Sequence, residues 1–495
     1  MINARTISAL IVGAAMAWTA VADDPTTIYF RPEGDPGPGD PMIGPTDDDE
    51  DYSGPYQWNL TEMNWYDEAS GGTAQQWING SIAWLVSESP NWARGSVVQI
   101  GDDITLAGLS TSFFSGTGGG VKLVESLDEQ NPVTLTFIDG SSINGGGGAD
   151  TRRLDLNNVN LSGDITIDGR TMLKNIGDFD GGTLTVTETL GLRDSSPAAR
   201  VILDNGALKT FGGSFTMAYL SGNGFLNRAS GVSGIRQWMT LDQPENTVVT
   251  GGFVNDDLSF EMAGSGAFIV NNNRVNQNEI RNLTASGGTF LLQDEGDGES
   301  TYVHHDITIE ENAEFGGATR IRANQNFTLE GADSILTAGS GTIDGAGNLT
   351  RRAGLLTIDL ENASSSKLEA EDGGTFNFYL DDDDGQGVLV NSRIDFIGDG
   401  ELTLGGTKTV NLYGLGADLI QTGVAYTLIS IGGDVVKAAG WDDGWEIGDN
   451  TTGYAVDSFG WNSDNLTVTL IPEPGTMMLL LGGLTTLWWV RKRHG

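Results

Sequence analysis

The sequence predicts a mostly-β chain: an irregular parallel (right-handed) β-helix or solenoid with aromatic-rich end caps, preceded by a signal helix and followed by a single transmembrane helix. Three observations predict it. Glycine is abundant, 72 residues against 13 prolines, which suits strands interrupted by corners better than helices. Short alternating apolar runs recur between Gly, Asn and Asp, as in PVTLTFIDG (132–140), RRLDLNNVNLSGDITIDG (152–169), HDITIEENAEFGG (305–317) and SILTAGSGTIDGAGNLT (334–350). A tetrad also returns, as GGTL at 181–184, GGSF at 212–215 and GGTF at 287–290 and 373–376. Its uneven spacing fits coils of about 20–30 residues with loops of varying length.

Taken in order, residues 1–22 read as a secretory signal peptide: Arg5, an apolar run from Ile7 to Trp18, then the small-x-small pattern Ala20-Val21-Ala22 before Asp23. Residues 23–55 are expected to form a disordered acidic Pro/Gly linker, because RPEGDPGPGDP and the Asp47–Asp51 run offer almost nothing to bury. Residues 56–100 hold Trp58, Trp65, Trp77, Trp84 and Trp92. These are expected to plug the open end of the solenoid, although an outward aromatic strip could instead stack on sugar rings. Residues 101–400 are the solenoid itself, with apolar residues inward and Gly or Asn at corners of positive φ. A row of β-sandwiches is the rival, and Asn144-Gly145 and Asn205-Gly206 would be its hairpins. Residues 401–470 form a C-terminal β cap, closed by Trp441, Trp445 and Trp461.

Residues 471–495 carry Pro472-Glu473-Pro474, an uncharged stretch from Met477 to Val490, and the terminal cations Arg491, Lys492 and Arg493. Such cations stop transfer and keep the tail on the cytoplasmic side. In order and spacing this segment resembles the PEP-CTERM sorting signal of bacterial envelope proteins. The resemblance implies recognition by an exosortase-type membrane protease, cleavage near the Pro-Glu-Pro, and a home beside extracellular polysaccharide. Gly475 departs from the serine or alanine common there. The opening at 56–100 also resembles autotransporter-like β-helix passengers, and the run from ELTLGG to DNLTVTL resembles the ends of exported β-helix proteins.

The formal net charge is −41, from 26 Lys and Arg against 67 Asp and Glu, and four of the cations sit in the two short ends. A body so acidic repels nucleic acid, so no nucleic-acid partner is expected. Cysteine is absent, which removes thiol catalysis and disulfides. Among three histidines, His304 and His305 are adjacent and should face opposite sides of an extended chain, so no shared metal or histidine-based catalysis is expected. Arg152-Arg153 and Arg351-Arg352 are expected to pair locally with carboxylates. The carboxylates are too many for any catalytic pair to be singled out.

No catalytic residue and no cofactor are expected. Calcium is the one candidate ion. Its best candidate ligands are Asp381, Asp382, Asp383 and Asp384 in DDDDGQG; GGGGADTRR (145–153) is an imperfect nonapeptide with Arg152 at its aliphatic position. The functional expectation is a non-enzymatic, exported surface or matrix protein, tethered at least transiently by its C-terminal helix. A carbohydrate-binding or polysaccharide-cleaving β-helix and a calcium-dependent adhesin are the alternatives.

Overall fold

The computed structural model describes residues 25–30, 56–61, 65–66, 74–85, 97–111, 121–146, 153–176, 179–180, 182–193, 200–210, 213–228, 237–254, 258–272, 278–294, 300–362, 364–380, 382–383, 389–415 and 420–473. Ala20, Ala22, Pro474, Arg491, Lys492 and Arg493 lie outside them, as do the segments expected to be a signal peptide and a transmembrane helix, and the Pro/Gly stretch from Arg31. Among the described residues every regular element is a strand, and the sheets are mostly parallel.

Three ladders organise the middle of the chain. In the phenylalanine ladder, Ala267–Asn272, Thr289–Asp294, Glu314–Ala318 and Ile335–Ala338 pair in parallel, each on the next. In the threonine ladder, Gln237–Leu241, Leu258–Met262, Asn282–Ala285, Ile307–Ile309 and Asn326–Leu329 do the same. The charged ladder is Asn278–Ile280, Thr301–Val303, Arg320–Ala323, Leu355–Leu360 and Arg393–Gly398. The chain visits the ladders in turn. Side-chain hydrogen bonds between one circuit and the next span 21 residues from Thr240 to Glu261, 23 from Asn282 to Ser259 and 25 from Thr289 to Glu314.

Alternation within each strand decides what is buried. Strands such as Ile307–Ile309 and Asn282–Ala285 bury every second residue, and parallel in-phase pairing then stacks like on like. Phe268 pairs with Phe290, Phe290 with Phe315, Phe315 with Leu336 and Leu336 with Phe376. The last residue of each glycine tetrad, Leu184, Phe215, Phe290 and Phe376, is buried. At 288 and 373 only glycine fits: φ is +55° and +99°, and a Cβ would lie 2.3 Å from the Gly264 carbonyl oxygen or 2.0 Å from that of Thr407.

Asn205-Gly206 is a corner and not a hairpin. Arg200–Thr210 runs parallel to Thr183–Val186 through its first half and to Thr189–Arg193 through its second, with Asn205 at φ 60° between them. Parallel pairing thus replaces the hairpins that a row of sandwiches would need.

Three boundaries differ from the sequence reading. Thr27–Phe30, assigned to the linker, is a strand that pairs with Ser81–Leu85 and Trp65–Tyr66. Its alternation buries Ile28 and Phe30 completely, and the composition that resists burial begins only at Arg31. Beyond residue 400 the ladders continue: Thr407–Gly414 lies on Gly373–Leu380, and Trp445–Asn450 lies on Thr407–Gly414. Of SILTAGSGTIDGAGNLT, only Ile335–Ala338 joins a ladder. Ser340–Ile343 and Leu349–Arg352 form an antiparallel hairpin around Asp344–Asn348. This hairpin lies over the outer side of the phenylalanine ladder, where Ile269 and Leu291 are fully buried. Gln293 holds it by accepting from Gly341 N at 3.0 Å and donating to Gly341 O at 2.9 Å.

Aromatic clusters stand at both ends. Trp65 packs against Phe30, Trp58 and Trp77 at centroid distances of 5.0, 4.8 and 4.7 Å, and all four rings are buried. At the other end Trp461 meets Trp441 at 4.4 Å and Trp445 at 5.5 Å, partly buried against the core. The ring of Phe260 lies 5.4, 5.4 and 5.3 Å from those of Phe253, Phe268 and Phe290. Phe260→Ala is therefore expected to lower stability by about 3–5 kcal/mol, read as an earlier urea midpoint with the β spectrum of the native state retained.

Candidate functional site

The residues singled out in the sequence scatter across the molecule. Pro472 ends the last strand, opposite Tyr454, and Glu473 follows it directly. Asp382 and Asp383 form a short antiparallel pair with Val390 and Leu389, while Asp381, Asp384 and the side chains of this turn lie outside the described residues. Among the described residues no group of three or more His, Asp or Glu is placed to hold a metal ion. Arg153 pairs with Asp155 at 2.7 Å and Arg351 with Glu314 at 2.5 Å. Arg152 lies outside the described residues. His304 and His305 occupy a bend after Thr301–Val303, where His304 meets the Tyr302 ring edge-on at 4.4 Å and His305 turns toward a different neighbourhood.

The charged ladder is neutralised by its own cations. Arg320 pairs with Asp359 at 2.5 Å, Arg322 with Glu361, and Arg393 with Asp395 at 2.7 Å. Elsewhere two charges are buried. Asp155 is pushed up to about 6 by burial, against the opposing pull of Arg153. Lys408 points inward under Trp445, 1% exposed, with its ammonium 5.8 Å from the ring centroid and donating to the Leu404 carbonyl at 3.4 Å. Burial lowers its pKa.

The most site-like feature was not singled out in the sequence. Gln237–Leu241 buries Gln237, Met239 and Leu241 and so turns Trp238 outward, half-buried, on the threonine ladder. One circuit on, Trp238 is paired with the small Ser259, and Ser259 with Asn282. Ser259 is fully buried and accepts from Asn282 Nδ2 at 2.7 Å. Asn282 Oδ1 accepts from the Asp306 backbone N–H at 3.2 Å, and the His305 N–H donates to the Arg281 carbonyl at 2.8 Å. These links draw two corners together around a depression of about 210 Å³, walled by Trp238, Arg281 and His305. Asn282, Asp306, Thr284 and Thr308 supply its hydrogen-bonding groups. Asp306 Oδ1 is shielded from solvent and accepts no hydrogen bond among the described residues. The signal for Trp238 was available: a lone tryptophan, far from either aromatic end, in a run whose alternation sends it outward.

In comparisons with known proteins, no family model matches this chain and no curated relative matches it.

Two outcomes follow from the buried charges. Because folding favours the protonated Asp155, its stabilising contribution is complete below the unfolded carboxylate pKa and is lost as pH rises through about 6. Wild type should lose about 2 kcal/mol on this account between about pH 4 and pH 7, and the Asp155→Asn variant should lack that decline in urea midpoints measured across the same range. Lys408→Met, which removes a buried ammonium without opening a cavity, should raise the midpoint by about 1–2 kcal/mol.

Proposed function

We propose that this chain is an exported, non-enzymatic surface or extracellular-matrix protein, a three-faced right-handed parallel β-solenoid delivered by a PEP-CTERM type signal. The observation that carries the body of this reading is the return of the chain, in turn, to each of three parallel ladders. Crossovers between parallel strands are overwhelmingly right-handed, and the tryptophan clusters at the two ends suit plugs that keep water from the stacked core. Without them the terminal circuits would offer open edges to other chains.

The sorting part rests on sequence: Pro472-Glu473-Pro474, the apolar run and Arg491–Lys492–Arg493. Its recognition partner is an exosortase-type membrane protease, and the apolar run holds the chain in the inner membrane until processing. The last strand ends at Pro472, which suits a signal read in extended chain just beyond the folded body, since each proline disfavours helix. The net charge of −41 keeps such a body soluble and away from polyanions. Extracellular polysaccharide is its natural surroundings, and the Trp238 depression favours contact with it.

Intact mass of the protein recovered from the envelope or medium of its native host tests the reading. A chain ending near Pro474 is expected. A chain retaining Gly495 would replace sorting by a permanent anchor, and depolymerisation of any polysaccharide by the purified protein would overturn the non-enzymatic part.

A further inference from the structure

We propose that the depression beside Trp238 is a binding subsite for one ring of a neutral polysaccharide. This deepens the matrix reading by naming what one face holds, and it is tested on purified protein, apart from where the cell delivers the chain.

Trp238 is the first reason. Trp58, Trp65 and Trp77 are inside the N-terminal end, and Trp441, Trp445 and Trp461 pack on one another at the other. Trp238 instead leaves the side of the ladder, at a position where neighbouring circuits carry Ser259 and Asn282. A large ring held half-buried on a flat polar face offers a stacking surface to the apolar side of a sugar ring. It also forms one wall of a hollow whose remaining groups are polar.

Asp306 sets the charge of the ligand. Its carboxylate lines the hollow and offers only acceptors, so a hydrogen bond to it must come from an O–H or N–H of the ligand. A sugar hydroxyl donates such a bond. A uronate or sulfate group brings only acceptors, and it meets both Asp306 and a body of net charge −41. Arg281 also lines the hollow, where its single charge is offset by that of Asp306 and outweighed by the acidic body.

The surroundings point to a polymer. Thr284 stands on Thr308 and Thr308 on Thr328 in successive circuits, so a file of hydroxyls about 4.8 Å apart leads away from the hollow along the ladder. A chain seated with one ring against Trp238 can continue over this file. The site binds, and no bond is made or broken in it.

The experiment is affinity electrophoresis of the full-length protein through gels containing a neutral glucan, a neutral mannan or polygalacturonate. At least one neutral polymer is expected to retard the wild type, and polygalacturonate is not. Trp238→Ala and His305→Ala should each weaken that binding about tenfold or more, while Trp84→Ala, at an exposed ring of the N-terminal end, should not. Thermal melts of all variants separate loss of the site from loss of the fold; if Trp238→Ala does not fold, His305→Ala carries the test. Retardation by neither neutral polymer, tighter binding of polygalacturonate, or unchanged binding by folded Trp238→Ala or His305→Ala would overturn the proposal.

Discussion

Parallel, in-register backbone pairing between one circuit and the next is the constraint on which the rest of this structure depends. Once Phe260 sits opposite Leu283, and Leu283 opposite Ile307, every other inward position is fixed, because a slip of one residue would send the whole buried set to solvent. Loops of any length are tolerated between ladders so long as each strand re-enters in phase. The glycines follow from the same constraint: where the backbone of one circuit crowds the next, a Cβ at Gly288 or Gly373 has no room. Core, corners and faces are thus consequences of one repeated hydrogen-bond pattern.

What the sequence disclosed follows from how local each signal is. Alternation in PVTLTFIDG or HDITIE is a property of a few residues, and so strands and their buried sides were readable. The tetrads were readable for the same reason, since two glycines and a following apolar residue mark a corner and the first core position after it. Positive φ at Asn158, Asn175, Asn205 and Asn312 was foreseeable in kind. Which strand pairs with which is set by tertiary stacking. That is why Ser340–Arg352 read as more of the same grammar when it is an antiparallel flap, turned back by Asp344-Gly345-Ala346-Gly347-Asn348. Thr27–Phe30 was missed because four residues of alternation are easily outweighed by the proline-rich run that follows.

The candidate site was less legible still. Trp238, Arg281, Asn282, His305 and Asp306 come from three circuits, and no spacing in sequence announces that they meet. The histidine pair sits in a bend and not in the extended chain from which its two sides were read, and only the fold brings His305 beside a tryptophan far behind it in the chain. The two ends of the molecule and its sides also divide their labour. Tryptophans at the ends are largely spent on the core, and the charged ladder satisfies its arginines with neighbouring carboxylates, such as Arg320 with Asp359. The threonine ladder is the face that carries the Trp238 depression.

The short return of the chain has a kinetic side. Most all-β domains must bring distant segments together before any sheet is stable, and they fold slowly for that reason. Here most strands pair with one 17 to 42 residues away, as between Leu154 and Thr171 and between Tyr56 and Val98, however long the whole becomes. Two adjacent circuits suffice to begin, and each later one adds to a template already formed. A chain built this way can fold progressively from one end, each completed circuit serving as the template for the next.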